Sequence, residues 1–533
     1  MRFKELTPDQ IEYIKKCYNE KDGLSYEKRA TKLSLEFDVS ERTIRYWWAN
    51  LNLTEKIEVE PEQYQQARLR KFDKTKKCFI VAWAQNNTNV HKGFLENIEA
   101  LASEYNADIH MILGRYRNPT SPTENGDTEE EWWDESILKY ADANRHDIHK
   151  YVSIMSDVKV QPTAINPMSG MQGMSGVNSC VFGAPKVQFE MIPVLDGNKP
   201  KMMFTTGAIT YRNYSDSKAG KKGEFHHTLG FCVIEIKDKE TFFARQVTAD
   251  DKTGNFTDLY YRVEGGKVSR IDSIEAIVFG DIHYGHHDQE VLNTTMDFLD
   301  KIKPKHVILH DVFDGNSISH HEMKNPFIQY GKEIAGTNDL KKEIDGMMSG
   351  LKEFEHFDNV VIVRSNHDDF LDRWLQNEDW KKQPTHKNSR LYMQMSDTLL
   401  GQYEKDPYNV IGVIPSLIKD RFPKYKTLSR SASYKVKGGW ELGQHGDVGA
   451  NGSRGSLLQF RKLNTKIIVG HYHSPGRKDG ALAVGTSTKL RVGYNQGPSS
   501  WLQSHVIIHN DGRAQHLNFL KGENGKAYFT TLE

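Results

Sequence analysis

The rhythm of apolar and polar positions changes three times along the chain. Residues 8–52 carry helical spacing. In "YEKRATKLSLEFDVSERTIRYWWANL", apolar or small residues fall at Ala30, Leu33, Ser34, Phe37, Val39, Ile44 and Trp47, which predicts two helices crossing over a tight turn, after a first short helix. Ser40 is placed to cap the last helix, and Asp38 sits where the turn needs a left-handed residue. "LTEKIEVEPEQYQQARLRKFDKTKK" is polar, charge-dense and linker-like. From Cys78 a β-α-β rhythm begins, with "CFIVAWAQ" and "DIHMILGRY" as strands around the amphipathic "GFLENIEALASEYN". Strand-like runs continue between polar insertions, "PTSPTENGDTEEEWWDES" among them, and after residue 274 they return as short apolar strands. This organisation predicts a helical head over residues 1–55, a linker over 56–76, an α/β domain over 77–268 and a second α/β domain over 269–533.

A chain of 533 residues is too long for one ordinary core. Its apolar runs are strand-sized, well short of the roughly 18 residues of a membrane helix, and "MRFKELTPDQ" lacks the apolar core of a signal peptide. No membrane partner and a cytoplasmic location are therefore expected. Lys+Arg and Asp+Glu balance at 71 each, so any DNA binding must come from a local basic surface. Cys17, Cys78, Cys180 and Cys232 show no CxxC spacing and read as buried thiols. His226 and His227 in "GEFHHTLG" would point to opposite faces of a strand and read as structural.

The chemistry gathers at strand ends. "EAIVFGDIHYGHHD" delivers Asp281 and His283, "KHVILHDVFDGN" delivers Asp311 and Asp314, and "NVVIVRSNHDD" delivers Asn366, His367 and Asp368. "WELGQHGD" adds His445, and "KIIVGHYHSPG" adds His471 and His473. In α/β folds the carboxyl ends of strands are where loops approach one another over a fixed sheet, so five such ends with metal-ligand residue types point to one site.

This series resembles the calcineurin-like metallophosphoesterases, whose pattern runs D-x-H, G-D-x-x-D, G-N-H-D/E, a lone His and G-H-x-H. The resemblance covers roughly residues 272 to 515. It implies a four-layer α/β/β/α sandwich for the C-terminal domain, with one metal held by Asp281, His283 and His473, another by Asn366, His445 and His471, and Asp311 bridging them. Mixed carboxylate, amide and imidazole ligands favour Mn²⁺, with Fe²⁺ or Zn²⁺ as alternatives. His367 would act as general acid or transition-state stabiliser, oriented by Asp314. Two departures stand out: His310 and Ser365 replace the usual glycines before Asp311 and Asn366, and Gly315 and Asp368 replace the Arg and Glu of protein serine/threonine phosphatases.

The helical head resembles a helix-turn-helix, whose second helix would bring Glu41, Arg42, Arg45 and Tyr46 to DNA. A helix-turn-helix joined to this core looks most like the large phage-encoded DNases, which implies a metal-dependent DNA nuclease working in a host cytoplasm. The alternatives are a phosphodiesterase or phosphatase for a non-nucleic-acid substrate with the head used for assembly, and a DNA-binding regulator with an inactive core. Arg454 and Arg477, with Lys489, Arg491, Tyr494, Ser499, Ser500 and Trp501 of the tail, are candidates for a phosphate-backbone groove, against ordinary completion of a sheet. A symmetric homo-oligomer is expected.

Overall fold

The computed structural model describes the chain apart from residues 1–2, 21–23, 25, 52, 54–60, 72, 74, 117–130, 320–321, 323–324, 379, 381–386, 464, 494 and 533. Most of the insertion at 119–136, part of the linker and Tyr494 lie outside the described residues. The chain forms two compact units, Met1–Glu62 and Gln63–Glu533.

In the first unit, helices Pro8–Asn19, Tyr26–Glu36 and Glu41–Asn50 enclose a small core of Ile14, Cys17, Ala30, Leu33, Ile44, Trp47 and Trp48. Thr7 and Gln10 form a reciprocal capping box that starts the first helix, and Ser40 Oγ accepts from Thr43 N at 3.2 Å to start the third. Asp38 takes φ 47°, as the tight turn requires. Phe37 meets Trp47 edge to face at 5.4 Å, which fixes the second helix against the third.

The second unit is mixed α/β. Within the stretch read as linker, Glu62–Arg68 is helical and buries Tyr64 and Ala67. A six-stranded sheet runs in the order Lys426–Thr427, Val360–Val363, Lys303–His310, Ser273–Val278, Ser504–Ile508, Ala514–Asn518, the first four parallel and the last two antiparallel. Its parallel strands are apolar on both faces because both are covered. On one side Ile277, Leu309 and Ile362 pack on helices through Val291, Phe298, Trp374 and Ile418. On the other, Val278, Ile308 and Val363 meet Trp440, Ile468 and Leu482 of a ten-stranded sheet.

That second sheet draws half its strands from residues 145–205 and half from residues 435–483, and the halves are joined where Phe189 pairs with Arg477 and Gln188 with Lys478. Residues 77–268 and 269–533 are thus knit by backbone hydrogen bonds. A five-stranded sheet centred on Cys78–Gln85 covers the far half, through Phe79, Val81 and Trp83 against Val181, Phe189 and Phe204. "GEFHHTLG" differs from its reading as a strand. His226 ends helix Lys218–His226, and His227 is buried between Tyr214 Oη and the Thr210 carbonyl, both at 2.8 Å. The four cysteines are free and buried. Among the described residues, no helix is long and apolar enough to cross a membrane.

Candidate metal centre

The parallel strands Ser273–Val278, Lys303–His310 and Val360–Val363 all end on one side of the six-stranded sheet, and Lys466–Val469 ends beside them from the facing sheet. The turns that follow are sharp. Four of the ten non-glycine residues with positive φ among the described residues are His283, Asp311, His471 and His473, at 44° to 74°. Such backbone costs energy and persists where packing over-determines it, which is common at functional sites. Gly470 supplies the room: a Cβ there would fall 2.4 Å from Asp281 Oδ1 and 3.1 Å from His310 Cγ.

The ligand atoms of Asp281, His283, Asp311 and His473 all lie within 4.8 Å of one another. His473 Nε2 is 3.1 Å from Asp281 Oδ2, and His283 Nε2 is 3.1 Å from His473 Nε2 and 3.4 Å from Asp311 Oδ2. His445 Nε2 approaches Asp311 Oδ2 to 3.1 Å, and the His471 ring stands 5.4 Å from that of His445. Asp281 Oδ1, both Asp311 carboxylate oxygens, Asn366 Oδ1 and His445 Nε2 are buried without a hydrogen bond from the protein. Buried polar atoms are almost always paired, so unpaired lone pairs crowded at one point are a donor set that fits cations, with N and O ligands at about 2.0–2.2 Å for zinc-like ions.

The electrostatics agree. Burial works against the Asp311 charge, yet His445, His367 and His283 around it hold its carboxyl well below the usual range. Burial likewise opposes a charged His445, but the neighbouring Asp311 raises it to about 9. Asp368 is pushed up to about 7 by burial, and its carboxylate and backbone N–H bond reciprocally with Ser365. That exchange starts helix Asp368–Asn377 and shapes the turn carrying Asn366, where a glycine was expected.

Asp314 meets His367 through its backbone carbonyl. The His367 Nδ1 lies 2.5 Å from that carbonyl, and the His367 ring packs 4.5 Å from both His283 and Phe370. The Asp314 carboxylate turns instead to His283 Nδ1, at 3.0 Å, and to His286, at 3.6 Å. Two residues not read as part of the centre in the sequence stand beside it. His310 is fully buried beside the centre, its Nδ1 3.3 Å from His445 Nδ1, and Trp501 packs edge to face on His473 at 4.2 Å. His310 was visible only as a missing glycine, and Trp501 only as one of a polar and aromatic cluster.

The expected DNA contacts fall in different places. Arg42, Arg45 and Tyr46 are exposed on helix Glu41–Asn50, where Glu41 pairs with Arg45 at 3.1 Å and accepts from Thr31 at 2.7 Å. Arg454 is exposed near Tyr472, whose hydroxyl donates to the Gly446 carbonyl at 2.8 Å, one residue past His445. Arg477 lies inside strand Gly476–Lys478 with its Nε buried, and burial pushes it down to about 10. Arg491 is engaged by Asp196, at 3.1 Å, and by the Gly497 carbonyl, and Ser500 bonds Ser474.

No known family profile and no solved structure matches the chain. A curated relative does: protein A1 of Escherichia phage T5 is 30% identical over 462 residues, which cover 84% of this chain and 82% of the relative. With buried Asp and His clusters able to hold metal ions and a phage relative along most of its length, the chain belongs to the family of phage T5 protein A1.

Proposed function

We propose that the protein is a phage-encoded, metal-dependent DNA nuclease of the calcineurin-like metallophosphoesterase type, hydrolysing phosphodiester bonds in the host cytoplasm. The observation that carries this reading is the gathering of Asp281, His283, Asp311, His445 and His473 from separate strand ends, with His471 beside His445 and with buried donor atoms, Asn366 Oδ1 among them, that have no hydrogen bond. The helices packed on the six-stranded sheet and the ten-stranded sheet on its other face are three layers compatible with an α/β/β/α sandwich, and they support this reading. Asp281, His283 and His473 would hold one ion, Asn366, His445 and His471 the other, with Asp311 between. When bound, two such ions, Mn²⁺ foremost, supply Lewis-acid polarisation of the phosphoryl oxygens and a nucleophile at neutral pH.

The remaining work falls to the chain. With its Nδ1–H donated to the Asp314 carbonyl, His367 keeps Nε2 for a proton directed at the leaving oxygen. The Asp314 carboxylate braces His283, so the two halves of that residue fix two imidazoles at once. The exposed Arg42, Arg45 and Tyr46 would bring DNA to the protein, and Arg454 would meet its backbone beside the centre.

The test is cleavage of plasmid DNA, linear DNA and a generic phosphodiester, with Mn²⁺ and with EDTA. Turnover of the small phosphodiester alone would move the reading to a phosphodiesterase with the head used for assembly. Removal of residues 1–55 is expected to spare the small substrate and weaken DNA cleavage, most at moderate salt, where backbone electrostatics are already screened. Equal loss on both substrates would give the head a role in folding or assembly instead.

A further inference from the structure

The described strand ends of residues 77–268 do not repeat the ligand series, their group of His110, Asp142 and His146 being a different one, yet their strands repeat those of residues 269–533 connection by connection. The five-stranded sheet is built around Cys78–Gln85, followed by a helix of 13 residues and a parallel neighbour, Asp108–Gly114, with the antiparallel Gly230–Ile236 and Phe242–Thr248 on the other side. The six-stranded sheet does the same around Ser273–Val278, with a helix of 13 residues, the parallel Lys303–His310, and the antiparallel Ser504–Ile508 and Ala514–Asn518. The ten-stranded sheet reads as a palindrome. From either edge the pairings run antiparallel, parallel, parallel, antiparallel, and the series meet at the antiparallel pair of Phe189 with Arg477. A central antiparallel pair is what a twofold axis through a sheet requires.

The correspondence reaches single residues. Asp281 bridges Thr486, which bridges Gln503; Trp83 bridges Ala208, which bridges Leu229, with the same directions. Ser487 N–H donates to the Asp281 carbonyl at 2.8 Å, and Ile209 N–H donates to the Trp83 carbonyl at 2.8 Å. Asp288 N–H then donates to the Ser487 carbonyl and His91 N–H to that of Ile209, and each of these two residues caps its 13-residue helix.

We infer that residues 77–268 are a second copy of the fold of residues 269–533, related to it by an internal twofold axis, in which the metal centre is replaced by an apolar plug built on Trp83. Trp83 stands in register with Asp281. Because Ile80 pairs with Ile109 and Val278 with Ile308, Ile112 stands in register with Asp311. Thr206 N–H donates to the Phe182 carbonyl as Val484 N–H does to that of Val469, which sets Gly183 against Gly470 and Ala184 against His471. A Cβ at Gly183 would fall 2.7 Å from Trp83 Cδ1 and 2.6 Å from Ile112 Cγ2, whereas at Gly470 it would meet Asp281 and His310. One backbone cradle therefore holds an indole in the first copy and a ligand carboxylate in the second. Indole, sec-butyl and methyl groups offer no lone pairs to a cation, and the same register puts Gln85 and Lys186 at the positions of His283 and His473, so the first copy does not repeat the ligand set of the second; its own Asp and His group is the different set His110, Asp142 and His146. The first copy serves as the built-in partner of the second across the twofold axis. The duplication does not depend on which reaction the centre performs.

The two glycines separate the copies in one experiment, read by thermal melting and Mn²⁺ content. Gly183→Ala presses on the plug and is expected to lower the melting midpoint by several degrees with Mn²⁺ per chain unchanged. Gly470→Ala presses on Asp281 and is expected to lose Mn²⁺; full retention there would count against the metal centre and leave the plug intact. Trp83→Ala opens space for the added methyl, so the double variant Gly183→Ala with Trp83→Ala should lose less than the sum of the single losses. Additive losses, or loss of Mn²⁺ from Gly183→Ala, would overturn the plug. Should Gly183→Ala give no folded protein, recovery of folded protein in the double variant supports the plug and continued failure overturns it.

Discussion

Replacing His367 with asparagine is expected to lower the DNA cleavage rate about 10²–10⁴-fold, the usual scale for a positioned proton donor, while both ions stay bound. The structure limits what else the change can do. His367 sits at the start of helix Asp368–Asn377 without a side-chain capping bond, and among the described residues the one hydrogen bond of its side chain goes from Nδ1 to the Asp314 carbonyl. Losing a single such bond costs about 1 kcal/mol of stability, against roughly 3–5 kcal/mol of barrier for the expected loss of rate. The two effects are therefore separable on one protein: cleavage rate, metal content and melting midpoint are measured together. A folded, metal-loaded His367→Asn protein that cut DNA at the wild-type rate would remove His367 from the chemistry and weaken the transfer of the whole motif series.

The gathering of Asp and His residues was legible in the sequence because metal-ligand chemistry constrains residue type and spacing at once. D-x-H and H-x-H directly after apolar runs mark the ends of strands, where the turns of Asp281–His283 and His471–His473 carry the side chains, with positive φ at His283, His471 and His473. The head was legible for a similar reason, since Ser40, Asp38 and the apolar stripe each answer a local demand of two packed helices. What was not legible depends on contacts far apart in the chain. Nothing in "VQFEM" announces that it pairs with "GRK", and Arg477, a candidate for a phosphate-backbone groove, lies in that strand with its Nε buried. The second copy escaped notice because three of its ligand positions hold Trp83, Ile112 and Ala184, residues that any buried strand would carry. Only the shared pattern of bridges and carbonyl partners reveals the kinship. The two roles of Asp314, carbonyl to His367 and carboxylate to His283, were likewise out of reach, because sequence does not tell a backbone acceptor from a side-chain one.

The second large effect is expected at Asp311, whose two oxygens are both buried without a hydrogen bond, Oδ2 facing His445 at 3.1 Å and His283 at 3.4 Å. Asp311→Asn keeps the volume and removes the charge that faces both His283 and His445. Because ions that bind the folded chain stabilise it by mass action, Mn²⁺ at 100 to 1,000 times its dissociation constant should add about 3–4 kcal/mol over EDTA in the wild type. The wild-type midpoint should therefore rise with Mn²⁺, and Asp311→Asn should lose most of that rise together with cleavage. His471→Asn removes a ligand from one group only. It should keep part of the rise, and excess Mn²⁺ should restore part of its activity, again by mass action. The quantity to compare is the midpoint in Mn²⁺ minus the midpoint in EDTA, variant by variant, since this difference cancels whatever each substitution does to the metal-free fold. An Asp311→Asn protein with the full wild-type difference would mean that the ions bind elsewhere, and the unpaired oxygens would then need another explanation.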